Sequence, residues 1–156
     1  MGMDLSDLVA QEGVIASLKA TSKKQALQML AGKAAELTGQ AERDIFSTLL
    51  ERERLGSTGV GHGVAIPHGK LPGLDRVVGL FARANTPLDY EALDDQPVDL
   101  LFVLLAPEGS GADHLKALAR IARVLRDETM AEKIRSTDHA SGIYSVLTGG
   151  AQEDAA

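Results

Sequence analysis

Apolar side chains recur along this chain with two different periods, and the switches between the periods mark out its elements. Val14-Ile15-Ala16-Ser17-Leu18 is a short apolar run that reads as a strand. Ser22-Lys23-Lys24-Gln25 then has the form of a capping box, in which a hydroxyl and an amide side chain satisfy backbone groups at a helix start. Behind it Leu27, Leu30, Ala31 and Ala34 recur at i, i+3, i+4 and i+7, so this helix carries one apolar stripe. A second helix is predicted from about Glu42 to Arg54, burying Ile45, Phe46, Leu49 and Leu50, with Gly56 placed to end it.

The pattern changes between Gly56 and Gly73, where glycine stands at 56, 59, 61, 63, 69 and 73 and proline at 67 and 72. This predicts a loop-rich segment interrupted by one small strand, Val64-Ala65-Ile66. Val77–Ala82 and Val98–Leu105 read as two further strands, the second nearly continuously apolar, as a strand covered on both faces must be. Leu115, Leu118, Ala119, Ala122 and Leu125 mark a third amphipathic helix, and shorter helical stretches follow near Thr129–Arg135 and Ser141–Leu147. Helices and strands alternate without internal repeats. The expected class is α/β, a single domain over residues 1–147 with three layers, helix–sheet–helix, around a mixed sheet. Residues 148–156 have the composition of a frayed tail, and the strand order stays open.

Composition narrows the function classes. A length of 156 residues suits one domain, and aromatic residues at 3% against 44% hydrophobic residues imply an aliphatic core. The net charge of −6 is spread along the chain, which argues against a nucleic-acid surface or an anionic membrane as partner. Without cysteine there is no disulfide framework and no thiolate chemistry, so a reducing compartment, the cytoplasm, is expected. The first seven residues lack the basic-then-apolar pattern of a secretory signal, and the longest strongly apolar stretch, Leu100–Ala106, is too short to span a bilayer. No membrane insertion is expected.

The candidate chemistry lies in the glycine-rich segment. His68 stands between Pro67 and Gly69, stiff before and unrestrained after, a geometry that can present an imidazole at a surface where a partner approaches closely. With an ordinary pKa near 6.5, about three-quarters of such imidazoles are neutral and nucleophilic at pH 7. Arg52, at a helix end before the glycines, is either a solvated helix residue or a bidentate anion ligand. His114 follows Gly109-Ser110-Gly111-Ala112-Asp113 at the start of the third helix, where it either caps the terminus or serves an anion held there. The backbone amides of Ser57, Thr58 and Gly59 are further candidates for an anion cradle. Arg54 and His62 read as bystanders, His62 contributing at most to local positive charge.

Arg52-Glu53-Arg54-Leu55-Gly56-Ser57-Thr58-Gly59, followed by Gly61-His62-Gly63-Val64-Ala65-Ile66-Pro67-His68-Gly69, resembles the enzyme IIA domains of the fructose, mannitol and nitrogen branches of the bacterial phosphotransferase system. Ser22–Leu27 and His114–Ala119 resemble the family's first helix and the helix of its second active-site histidine, so the resemblance covers roughly residues 4–147. It implies that His68 is the phosphorylated residue, through Nε2, that Arg52 binds the phosphoryl group and that His114 supports it. It implies a histidine phosphocarrier of the HPr type as donor. Where many relatives carry asparagine this chain has His62. The compact form favours the nitrogen-regulatory type, acting on cytoplasmic target proteins, over a sugar-branch subunit that passes phosphate to a IIB partner. No cofactor is expected, and no histidine or carboxylate spacing matches a common zinc motif. Gly59-Val60-Gly61-His62-Gly63 is no dinucleotide loop, because it follows a helix instead of a strand.

Overall fold

A computed structural model describes residues 5–148. After a single 3-10 turn at Leu5–Asp7 come β1 (Val9–Leu18), α1 (Lys23–Thr38), α2 (Glu42–Arg54), β2 (Gly59–Gly61), β3 (Val64–Ala65), β4 (His68–Leu71), β5 (Val78–Leu88), β6 (Val98–Pro107), α3 (Ala112–Arg126), α4 (Glu128–Arg135) and α5 (Ala140–Thr148). The six strands form one sheet in the order β1-β5-β6-β3-β2, with β4 also paired to β6. Pairing is parallel for β1 with β5 and for β3 and β4 with β6, and antiparallel for β5 with β6 and β2 with β3, so the sheet is mixed. Of the expected tail, Thr148 closes α5 and residues 149–156 lie outside the described residues.

Strand β6 explains the three layers. Every residue from Leu100 to Ala106 is fully buried, and alternate side chains enter different cores. Leu101, Val103 and Leu105 join Leu27, Leu30, Ala31 and Ala34 of α1 and Ile45 and Leu49 of α2. Leu100, Phe102 and Leu104 join Ala117, Ile121 and Leu125 of α3, Ile134 of α4 and Ile143 of α5. Helices therefore cover both faces of the sheet, as the apolar run predicts. No helix among the described residues is long and apolar enough to cross a membrane.

The local signals at α1 and α2 operate with small departures. Ser22 Oγ accepts the Gln25 N–H at 3.1 Å, but Gln25 Oε1 reaches back to Thr21 N–H, at 2.6 Å, one residue before the amide of an ideal capping box. In α2 Ile45 and Leu49 are buried, while Phe46 and Leu50 are only partly covered. The inward stripe continues instead to Glu53, which is 6% exposed.

Three expectations need correction. Strands β1 and β5 are longer than their apolar runs, since ladder hydrogen bonds continue through polar residues such as Gln11, Glu12 and Asn85 that the hydrophobic pattern does not count. The glycine segment is not mainly loop: β2, β3 and β4 all lie within 59–71, because β6 offers a strand edge that β3 and β4 satisfy in turn. Pro67, which lacks an N–H, sits at the break between them, and its carbonyl still accepts from Leu104 N–H at 3.0 Å. Finally, α3 is rotated from its predicted phase: Leu115 is 65% exposed and Ala119 faces out, while Ala117 and Ile121 are buried.

Candidate functional site

His68 opens β4 and is half-buried. Its Nδ1 lies 2.7 Å from the Ile66 carbonyl oxygen. A carbonyl can only accept, so Nδ1 carries the proton, and in the neutral ring Nε2 holds the lone pair. Burial pushes the His68 pKa below its ordinary value; the Arg52 charge acts in the same direction, and the Ile66 bond and the Glu53 charge oppose it. The ring is therefore mostly neutral at pH 7.

Gly69 has a different role from the open approach expected of it. A Cβ on Gly69 would run into the Thr48 side chain, so the bare backbone is what lets α2 lie against β4 beside His68. Thr48 is β-branched and on a helix, and cannot turn aside easily. Gly69→Ala is expected to lower stability by about 1–3 kcal/mol, the usual cost of overpacking. Chemical denaturation checks this, and an unchanged midpoint would contradict it.

His114 lies in the first turn of α3, its ring centroid 5.6 Å from that of His68 with the planes tilted by 47°. Its Nε2 is buried and has no protein hydrogen-bond partner. Burial lowers its pKa, and the His68 and Lys70 charges add to the effect. A cation on one of the two rings thus disfavours a cation on the other. The N-cap, Gly111, offers no side-chain acceptor, and although the Asp113 N–H donates to the Ser110 carbonyl at 3.2 Å, the start of the helix still suits an anion.

Arg52 closes the last turn of α2, where its Nη1 donates to the Gly56 carbonyl at 2.9 Å. This bond uses one of five guanidinium donors and leaves its charge acting on the His68 ring. Arg54 is exposed on the same turn. The expected amide cradle is largely occupied: Thr58 N–H donates to Glu53 Oε2 at 2.9 Å and Gly59 N–H to Ser57 Oγ at 3.0 Å. Those two amides brace the segment from within and are not free for an anion.

His62 is remote from this cluster. Val64 pairs with Leu100 and His68 with Leu104, a separation of roughly 13 Å along β6 at 3.3 Å per residue, and His62 lies beyond Val64 in the β2–β3 turn. There it takes a left-handed conformation at φ 58°, its N–H donating to Asp94 and its carbonyl accepting from Arg135. It belongs to the surface near α4.

Glu53 was missed from the sequence. Lys23 Nζ stands 2.8 Å from its Oε2, Thr58 Oγ1 donates to Oε1 at 2.5 Å, and the Tyr90 hydroxyl is 3.3 Å from Oε1. Burial pushes its pKa up, but the Lys23 and Thr58 bonds and the Lys23 charge outweigh this and hold its carboxyl below the usual carboxylate range. Tyr90 is pushed far up by burial and the Glu53 charge, so it stays a neutral donor. The available signal was spacing: Glu53 follows Ile45 and Leu49 at i+8 and i+4 on the inward stripe.

Residues 7–149 match the family described as "Phosphoenolpyruvate-dependent sugar phosphotransferase system, EIIA 2". The chain is 65% identical over 145 residues to a "Nitrogen regulatory protein" of Bradyrhizobium diazoefficiens, covering 93% of this chain and 95% of that one. It is similar to the crystal structure of nitrogen regulatory protein IIA-Ntr from Neisseria meningitidis, with a TM-score of 0.87, 30% identity and coverage of 92% and 99%. It also shares the fold of Escherichia coli enzyme IIA for mannitol in complex with phosphorylated enzyme IIB, with a TM-score of 0.75, 19% identity and coverage of 90% and 98%.

Proposed function

The chain belongs to the EIIA 2 family of the phosphoenolpyruvate-dependent sugar phosphotransferase system, and we propose that it carries a phosphoryl group on Nε2 of His68. Within the family it is of the nitrogen-regulatory type. The observation that carries the His68 assignment is the Nδ1–H bond to the Ile66 carbonyl, which leaves Nε2 as the basic nitrogen. The Nε2 lone pair forms the bond to phosphorus as the N–P bond of the donor's phosphohistidine breaks, and the donor imidazole recovers its lone pair. Such a transfer needs positioning and charge stabilisation more than covalent help. Arg52 supplies a fixed positive charge for the phosphoryl oxygens. His114 supplies an N–H whose partner is the phosphoryl group itself, which would explain why a buried Nε2 is left without one.

The donor is a histidine phosphocarrier of the HPr type. Its partners downstream are cytoplasmic target proteins regulated by its phosphorylation state or, in a transport role, a IIB component that takes the phosphoryl group on, of the kind seen phosphorylated beside the mannitol IIA. Residues 1–147 act as one IIA domain. Phosphorylation adds up to two negative charges, and each new like-charge contact about 4 Å away costs roughly 4 kcal/mol at an effective dielectric of 20. A regulated target is therefore expected to distinguish the two forms by at least about tenfold, or 1.4 kcal/mol. A pull-down with both forms, run beside a sugar-phosphorylation assay with IIB partners, tests this. Onward transfer to sugar with no target separating the forms would leave a transport role in place of the regulatory one.

A further inference from the structure

The nitrogen that reacts is chosen by the Ile66 carbonyl, so whatever holds the Ile66 peptide controls the site. Ile66 and Pro67 belong to neither β3 nor β4. Pro67 has no N–H, and the Ile66 N–H donates to the Thr58 carbonyl at 3.0 Å. Thr58 is in turn held at both its N–H, 2.9 Å, and its hydroxyl, 2.5 Å, by the two oxygens of Glu53. Hydrogen bonds joined through the backbone of Thr58 and Ile66 thus link the Glu53 carboxylate to His68 Nδ1–H, the Cα of each residue standing between the peptide group that donates and the one that accepts. The links before the half-buried His68 ring are shielded: Glu53 is 6% exposed, Thr58 4% and Ile66 4%.

We infer that Glu53 is a positioning residue for phosphoryl transfer, acting through Thr58 and the Ile66 peptide to keep His68 in the tautomer whose Nε2 is free to react. The logic is that of a carboxylate that orients a catalytic imidazole, with a stretch of backbone between the two groups. The carboxylate is suited to this because both oxygens accept at once, Oε2 from Thr58 N–H and Lys23, Oε1 from Thr58 Oγ1 and the Tyr90 hydroxyl. Lys23, bound also over the Tyr90 ring at 4.8 Å, holds the carboxylate ionised. The inference on transfer rate rests on the reading of His68 as phosphoryl acceptor; the inference on tautomer does not.

Nitrogen-15 NMR of the histidine rings in the full chain, with initial labelling rates from a phosphorylated histidine carrier, tests it. In the wild type His68 is expected as the Nδ1–H form. In Glu53→Ala the Nε2–H form should become populated and labelling should slow by about tenfold or more, and Glu53→Gln should recover part of the rate, since its amide oxygen still accepts from Thr58. The charged groups around His68 are Arg52 and Glu53 on α2, His114 on α3 and, beyond His114, Lys70 on β4. Losing the Glu53 charge alone should thus lower the His68 titration midpoint in Glu53→Gln. The ring tautomer and labelling rate of Glu53→Gln, in which one oxygen acceptor is lost, carry the test if Glu53→Ala does not fold. A folded Glu53→Ala with wild-type tautomer and rate, or a wild-type tautomer and rate in Glu53→Gln where only that variant folds, overturns the inference. A tautomer shift in a protein whose wild type takes no label would uphold the positioning role and refute the phosphoryl reading.

Discussion

His68→Ala is expected to take no label from a phosphorylated histidine carrier, while the wild type forms an acid-labile, base-stable linkage. The loss should be complete because no other ring can stand in. His114 lies nearby, but its Nε2 is buried; His62 is held at the far turn by Asp94 and Arg135, and His139 lies exposed beside Asp138. Stability should change little in sign or size compared with a core deletion, since the half-buried ring makes one hydrogen bond to Ile66. The wild-type rate should also report its own protonation. The neutral ring reacts and burial lowers its folded pKa, so the fall in labelling with falling pH should have its midpoint below the ordinary histidine value of about 6.5. The same depression means that the folded state gains stability above the unfolded pKa and loses it as pH falls through the lower folded one. Labelling of His68→Ala at the wild-type rate would refute the central assignment. A midpoint at or above the ordinary histidine value would refute the account of its pKa.

Arg52→Ala should slow labelling by about a hundredfold or more, and His114→Ala by about tenfold. A fixed charge opposite developing oxyanions is worth several kcal/mol in a sheltered site, whereas one neutral donor contributes about 1 kcal/mol. Arg52→Lys should recover only part of the rate, because an ammonium keeps the charge and loses the fork. The stabilities should separate the two residues as well. Arg52 donates to the Gly56 carbonyl at the end of α2, so its removal costs about 1 kcal/mol. His114→Ala breaks no hydrogen bond at Nε2, and the denaturation midpoint should report a smaller loss there. Initial rates with purified carrier, paired with denaturation curves, check both statements. Transfer by Arg52→Ala as fast as wild type would remove that residue from the site.

How much of this was legible in the amino-acid order depends on whether the signal was local. Helix α1 was readable because its cap and stripe lie within a few turns: Ser22 binds Gln25, and Leu27, Leu30, Ala31 and Ala34 are all fully buried. Helix α2 and strand β6 were readable for the same reason, one by period, the other by an unbroken apolar run. The reactive segment stood out by composition, and the resemblance singled out His68, Arg52 and His114. Tertiary structure alone decided the rest. Strands β3 and β4 exist because the edge of β6 needs partners 30 or more residues away, β2 then pairs back on β3, and glycine and proline propensities yield to that requirement. The phase of α3 was ambiguous because Leu115, Leu118, Ala119 and Ala122 compete with Ala117 and Ile121, Leu125 being common to both stripes, and only the sheet face beneath selects the second. The amides of Thr58 and Gly59 looked free because their acceptors are the side chains of Glu53 and Ser57, and even the inward spacing of Glu53 on α2 does not say which donors it meets. Glu53 itself reads as one more charge on a charged helix. Only folding brings Lys23 and Tyr90, 30 residues before it and 37 after, to one buried carboxylate, and long-range contacts of that kind leave no mark in any local window.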